Sequence, residues 1–147
     1  MIWFVDTSAL VKRYLKEQGS EWVRSEIIHH EVLISQLTPI ELGAAFSKRF
    51  RDGSVSKFVF YQARKGMLRH LAEGKYATVE LNQRVVDESL RLTFNQFLRA
   101  YDAVQLASAL VTSSGLELSR FVFVTADEKL AAVSRATGLQ TENPSQH

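Results

Sequence analysis

Ile2-Trp3-Phe4-Val5-Asp6-Thr7-Ser8 opens the chain with four apolar residues that run straight into an acid and two hydroxyls. A wholly apolar run of this length leaves no polar face, which suits a strand covered on both sides in a parallel sheet. Asp6, Thr7 and Ser8 then end the strand and offer side-chain oxygens to a helix over residues 9–16. The same pattern returns at Phe121-Val122-Phe123-Val124-Thr125-Ala126-Asp127, which predicts a second buried strand and a helix reaching about residue 137.

Between these two markers the chain alternates. A helix is expected over 20–30 and a strand over 32–35. Thr38-Pro39-Ile40-Glu41 reads as a helix start: Thr38 can cap, Pro39 sits at a tolerated position, and Glu41 can close a capping box. That helix continues to about residue 51 and stops at Asp52-Gly53. Ser56 can cap a helix to residue 72, with Gly74 past its end. A strand over 77–81, a helix from Asn82 towards residue 97, an apolar helix over 100–111 and a last edge strand over 139–141 complete the order. Strands alternating with helices predict an α/β fold with a mostly parallel sheet of four to five strands. Ligands in such sheets bind beyond the carboxyl ends of the strands. With no repeat and no Pro/Gly-rich linker, residues 1–141 read as one domain and 142–147 as a loose tail.

Composition narrows the function classes. At 147 residues, 46% hydrophobic and 23% charged, the chain can bury a core without staples. The absence of cysteine excludes disulfides, zinc ribbons and thiol chemistry, and fits a reducing cytosol. No apolar run approaches the roughly 20 residues of a membrane helix, and the start lacks a basic leader, so a cytoplasmic protein without membrane contact is expected. The net charge of +2 is small, but residues 48–75 hold eight basic and two acidic residues against ten and fourteen elsewhere. Such a basic arm can contact phosphates, or it can be a solvated helical face.

Four acids stand out. Asp6 and Asp127 each follow a buried strand, where they are either functional groups at the sheet edge or simple helix caps. Asp102 lies in Ala100-Tyr101-Asp102-Ala103-Val104-Gln105-Leu106-Ala107, a helix apolar enough to be buried nearly all round. A carboxylate there is costly unless paired or bound to metal, although a place in the first turn also eases its charge. Glu41 sits on a largely apolar helix, with the capping box as its alternative role. Brought to one edge, four carboxylates repel one another, and a hard divalent cation resolves the conflict. The lack of cysteine and the placing of His29, His30 and His70 on expected surface argue against zinc. An all-carboxylate site suits phosphodiester hydrolysis, with Thr7, Ser8 and Thr125 available to orient carboxylates or water.

Phe4-Val5-Asp6-Thr7-Ser8-Ala9-Leu10, Thr38-Pro39-Ile40-Glu41-Leu42, the stretch from Leu98 through Asp102 to Ala107, and Phe123-Val124-Thr125-Ala126-Asp127-Glu128-Lys129-Leu130 together resemble the four motifs of PIN-domain nucleases. Within that family the chain is most similar to VapC toxins of toxin–antitoxin pairs. The resemblance spans nearly the whole length, with the motifs in order. It implies a three-layer α/β/α fold, Mg²⁺ or Mn²⁺ dependence and endonucleolytic cleavage of RNA. It implies that Asp6, Glu41, Asp102 and Asp127 bind metal, assisted by Thr125 and Ser8. It also implies a homodimer and a cognate antitoxin, with the basic helical pair carrying Phe46, Phe50, Phe58, Phe60 and Tyr61 as docking surface or dimer arm; core packing is the other role open to those aromatics. Two other classes compete: a catalytically silent RNA- or protein-binding module on the same fold, and a receiver-type phosphoacceptor domain. The latter needs an acidic pair after the first strand, where Asp6 is followed by Thr7.

Overall fold

The computed structural model describes residues 1–147 and contains five strands and seven α-helices. The strands are β1 (Ile2–Val5), β2 (Glu31–Ser35), β3 (Ala77–Val79), β4 (Phe121–Val124) and β5 (Gln140–Glu142). The helices are α1 (Thr7–Tyr14), α2 (Ser20–Glu26), α3 (Thr38–Arg51), α4 (Lys57–Ala72), α5 (Gln83–Gln96), α6 (Ala100–Ser113) and α7 (Glu128–Ala136). All strand pairs are parallel, in the order β3-β2-β1-β4-β5. The three-layer α/β/α architecture is the expected one.

The apolar strands divide their side chains between two cores, because successive residues of a strand face opposite sides of the sheet. Trp3, Val5, Val122 and Val124 pack with Leu10, Leu42 and Phe46 on the side of α1, α3 and α4. Phe4, Phe121 and Phe123 pack with Leu92, Leu106 and Leu130 on the side of α5, α6 and α7. Phe4 pairs in register with Phe123, and their rings stack 5.9 Å apart. Strand order runs outward from β1 in both directions, so the chain reverses direction across the sheet between β1 and β4. Asp6 and Thr125 follow the ends of those two strands, where the crevice of a doubly wound sheet opens.

Local capping accounts for most boundaries. Asp6, Ser56, Asn82 and Asp127 accept the backbone N–H of Ala9, Val59, Val85 and Leu130 and so start α1, α4, α5 and α7. Thr38 does not cap. Leu37 takes the cap position of α3 without a side-chain bond, and Thr38 is fully buried inside the first turn. The capping box with Glu41 is therefore not formed. The helix expected over 20–30 ends at Glu26 and tightens into a 3₁₀ turn, Ile27–His29, and β3 stops at Val79.

The C-terminal residues are not a loose tail. Glu142 belongs to β5, Asn143 and Pro144 are buried, and Pro144–Gln146 form a 3₁₀ turn. His147 stacks on Trp22 at 4.3 Å, and Gln18 Nε2 donates to the Ser145 carbonyl at 2.7 Å. Gly19 explains the closeness: its φ is +83°, and a Cβ there would stand 2.3 Å from the Pro144 oxygen. Two histidines also leave the expected surface. His30 stacks on Trp3 at 4.1 Å, and His70 Nδ1 meets the Tyr14 hydroxyl at 2.9 Å. No helix is long and apolar enough to cross a membrane.

Candidate metal centre

Asp6 is the buried heart of the carboxyl-end crevice, only 3% exposed. Its Oδ1 accepts from Ser8 Oγ at 2.8 Å and Ala9 N at 3.0 Å, and its Oδ2 accepts from Thr125 Oγ1 at 3.0 Å. Ser8 Oγ also accepts the Ala126 N–H at 2.9 Å. The two hydroxyls expected to orient carboxylates thus knit the end of β1 to the end of β4. Burial pushes the Asp6 carboxyl up to about 7; the hydrogen bonds from Ser8, Ala9 and Thr125 offset part of that, and the Asp102 charge adds to it.

Glu41, in the first turn of α3, is also raised, first by burial and further by Asp102, against hydrogen bonds from Gln105 and Thr7. Asp102, in the first turn of α6, thus acts on both acids. The structure brings Asp6, Glu41 and Asp102 to one rim although they come from three separate elements. Asp127 stands at the edge of this group. Its Oδ1 caps α7, and its Oδ2 lies 3.9 Å from the Arg99 guanidinium, which also bonds Asp102 Oδ2 at 3.1 Å. The cap role weighed for Asp127 is realised, and so is the cap role of Asp6.

Three residues of this rim were not singled out by sequence. Gln105 is 2% exposed and bonds Glu41, Thr7 and Thr38. Arg99 bridges Asp102 and Asp127, and Thr38 is an internal acceptor. A polar residue inside the apolar run of α6 is the signal that could have found Gln105; Thr38 was read only as a helix cap, and nothing local marks Arg99.

A divalent cation fits the donor chemistry of this rim: carboxylates and hydroxyls with no sulfur or histidine, and carboxyl groups raised by burial and, to a lesser extent, by Asp102. The placement is looser than the sequence suggested. No group of three or more acidic or histidine side chains stands close enough together to hold an ion. Like charges at close range repel, and Asp102 and Asp127 lie instead against the Arg99 guanidinium.

An all-parallel α/β sheet with carboxylates gathered at its switch point defines the class of the molecule. A sequence profile of the PIN domain matches residues 3–136, and the chain belongs to the PIN domain family. The fold is shared with PAE2754 from Pyrobaculum aerophilum at 27% identity and a TM-score of 0.68, over 96% of this chain and 83% of that one. It is shared with a toxin–antitoxin complex from Klebsiella pneumoniae at 16% identity and a TM-score of 0.62, over 96% of each chain. FitAcB from Neisseria gonorrhoeae matches at 15% identity and a TM-score of 0.66, over 98% of each chain. A comparison of the sequence with curated proteins finds no match.

Proposed function

We propose that this PIN domain is a metal-dependent endoribonuclease and the toxin of a toxin–antitoxin pair. The observation that carries the reading is the buried Asp6 carboxyl at the β1–β4 switch point, raised to about 7 beside Asp102 and within the same rim as Glu41. Such a cluster is unstable as a structural device and suited to a cation. Asp6, Glu41 and Asp102 are the residues that would hold Mg²⁺ or Mn²⁺, with Asp127 at the edge of the group beyond Arg99. When bound, a divalent cation supplies the Lewis acidity that activates water and offsets charge on the scissile phosphate. The protein's own part is positioning: Ser8 and Thr125 fix both oxygens of Asp6, and Arg99 offers a cation to the RNA backbone at the rim.

The partner assignments rest on two separate surfaces. Between α3 and α4 lies a cavity of about 330 Å³ lined by Phe46, Phe60, Met67 and Leu68, with Arg64 beside them. Phe46 is core and Phe60 is half-buried, while Phe50, Phe58 and Tyr61 are exposed on the same basic helical pair. An apolar groove edged with cations suits an acidic amphipathic segment, as an antitoxin tail would present. A second stripe, Val86, Leu90 and Phe94 at every fourth residue of α5, continues to Phe97 and Tyr101, all exposed. An exposed apolar stripe of this kind suits a second copy of the chain.

Purified protein incubated with RNA and Mn²⁺ is expected to cleave it and to stop with chelator. Asp6→Asn or Asp102→Asn is expected to lower the rate at least about a hundredfold, since even residues that merely orient metal ligands are worth ten- to a hundredfold. Full metal-dependent cleavage by either variant sinks the site. RNA binding without cleavage by the wild type marks the silent-module reading instead.

A further inference from the structure

Gln105 is the polar residue of α6 that the functional reading leaves without a role. It lies one turn beyond Asp102, so the two share a face of the helix. Its amide nitrogen reaches three oxygens on two other helices: Glu41 Oε1 at 2.8 Å, Thr7 Oγ1 at 3.1 Å and Thr38 Oγ1 at 3.1 Å. The shortest of the three goes to the carboxylate, as expected where an ionised acceptor strengthens the bond. Thr7 directly follows Asp6, Glu41 is itself an acid of the rim, and Asp102 shares the helix of Gln105. One amide is thereby tied to the element that carries each of the three acids.

Packing alone does not explain this side chain. The amide oxygen Oε1 is buried and has no hydrogen-bond partner, a cost that a methionine of similar shape in the same space would not carry. The residue is placed for its donor side. A lysine would also donate, but its charge would cancel part of the negative potential that a cation needs. A neutral donor fixes the direction of Glu41 and leaves its charge intact.

We propose that Gln105 is a positioning residue, which holds the Glu41 carboxylate at a set distance from Asp102 and Asp6 and so tunes the affinity of the rim for a divalent cation. The inference rests on the metal-dependent reading above. Its test is Mn²⁺ binding by calorimetry for wild type, Gln105→Met, Glu41→Gln and the double variant, with kcat and KM for RNA measured alongside. Gln105→Met is expected to weaken Mn²⁺ binding about tenfold and lower kcat by a similar factor, with KM unchanged. In the Glu41→Gln background the same change is expected to do nothing further, because the group it positions has lost its charge. Gln105→Asn keeps the amide but falls a methylene short of Glu41, and it carries the same expectation if Gln105→Met does not fold.

Two results overturn the inference: unchanged Mn²⁺ affinity in a folded Gln105 variant, or an equal loss in both backgrounds, which marks general loosening. The functional reading fails separately. If Glu41→Gln itself keeps full Mn²⁺ affinity and cleavage, Glu41 is no ligand and Gln105 has nothing to position. If Glu41→Gln loses both while the Gln105 variants lose neither, only the role of Gln105 falls.

Discussion

The two ends of α1 hold two buried charged clusters built on opposite terms. At its last turn Lys12, 6% exposed, bonds Glu17 at 2.9 Å and the Gln18 carbonyl at 2.9 Å, and Arg49 closes on the other oxygen of Glu17. Burial alone would raise the Glu17 carboxyl, but bonds and charges from Arg49 and Lys12 outweigh it and hold the group below its ordinary value. At the first turn Asp6 is buried with no cationic side chain bonded to it; burial raises its carboxyl, the bonds from Ser8, Ala9 and Thr125 offset only part of that, and the Asp102 charge adds to it. Both clusters set carboxylates beside the ends of α1, Asp6 buried and Glu17 half-buried. One contains its own counter-charges and the other does not. Self-sufficiency marks the structural cluster, and a deficit of positive charge marks the proposed metal site.

Exchanging charge for amide at each end should break the two clusters in opposite ways, and this is the largest expected effect. Glu17→Gln leaves Lys12 buried without its carboxylate. A cost of about 2 kcal/mol is expected, below the full figure for a buried pair because Glu17 keeps some solvent contact, and Tm should fall by roughly 4–8 °C with cleavage retained. Asp6→Asn removes a buried repulsive charge, so Tm in chelator at pH 8 should hold or rise while cleavage is lost. Thermal scans with parallel RNA assays check both. If Asp6→Asn lowers Tm as far as Glu17→Gln does, the contrast between the two ends is wrong.

The pH dependence sharpens the same contrast with a smaller effect. Asp6 has a higher pKa folded, about 7, than the 3.8 of a free side chain, so the folded state holds the proton more tightly. Its contribution to stability is full below about pH 4, declines as pH rises towards 7, and is flat above. Glu17 runs the other way: lowered on folding, it stabilises above its unfolded value of 4.5 and loses that contribution as pH falls through its folded value. Because proton and cation compete for Asp6, Mn²⁺ affinity should rise by up to about tenfold per pH unit until about 7 and then level. Calorimetry from pH 5.5 to 8.5 measures this. A flat profile removes Asp6 from the ligand set, whereas Glu17→Gln should leave the profile unchanged.

How much of this was legible in the sequence follows the range of each interaction. The strands β1 and β4, and the acids that follow them, could be read because an apolar run ending in an acid is a local pattern. The caps at Ser56 and Asn82 are local too. Glu41 was read as a rim acid with a capping box as its alternative, and the capping box fails because Thr38 turns inward to Gln105, 67 residues away. The loose tail failed for the same kind of reason. It packs against the loop at Gly19 and the ring of Trp22, contacts that span more than a hundred residues and leave no periodic trace. His70 left the surface because Tyr14, 56 residues earlier, accepts its company. The expectation of convergent carboxylates came from chemistry alone. The looseness of the rim was not legible, since Arg99 shows its role only once Asp127 is beside it.

Arg99 is the one cation on the acidic rim that touches two of its carboxylates, and it tests the contrast most finely. Its side chain is 79% exposed, so its bridge to Asp102 and Asp127 is screened by water and weak. It is also a borrowed counter-charge, unlike the buried Lys12 at the other end of α1. A divalent cation drawn to Asp102 must displace it. Arg99→Ala should therefore raise Mn²⁺ affinity slightly, by at most about fivefold, and the gain should shrink as salt is added. Arg99→Lys, which keeps the charge but not the two-pronged fork, should lie between. On the proposed function the freed guanidinium contacts the RNA backbone, so Arg99→Ala should raise KM while Mn²⁺ binding improves. A variant in which Mn²⁺ binding and KM both stay at wild-type values would show that the guanidinium is a bystander. One that binds Mn²⁺ more weakly would show that Arg99 organises the acids rather than competing for them, and the two ends of α1 would then differ less than their charges suggest.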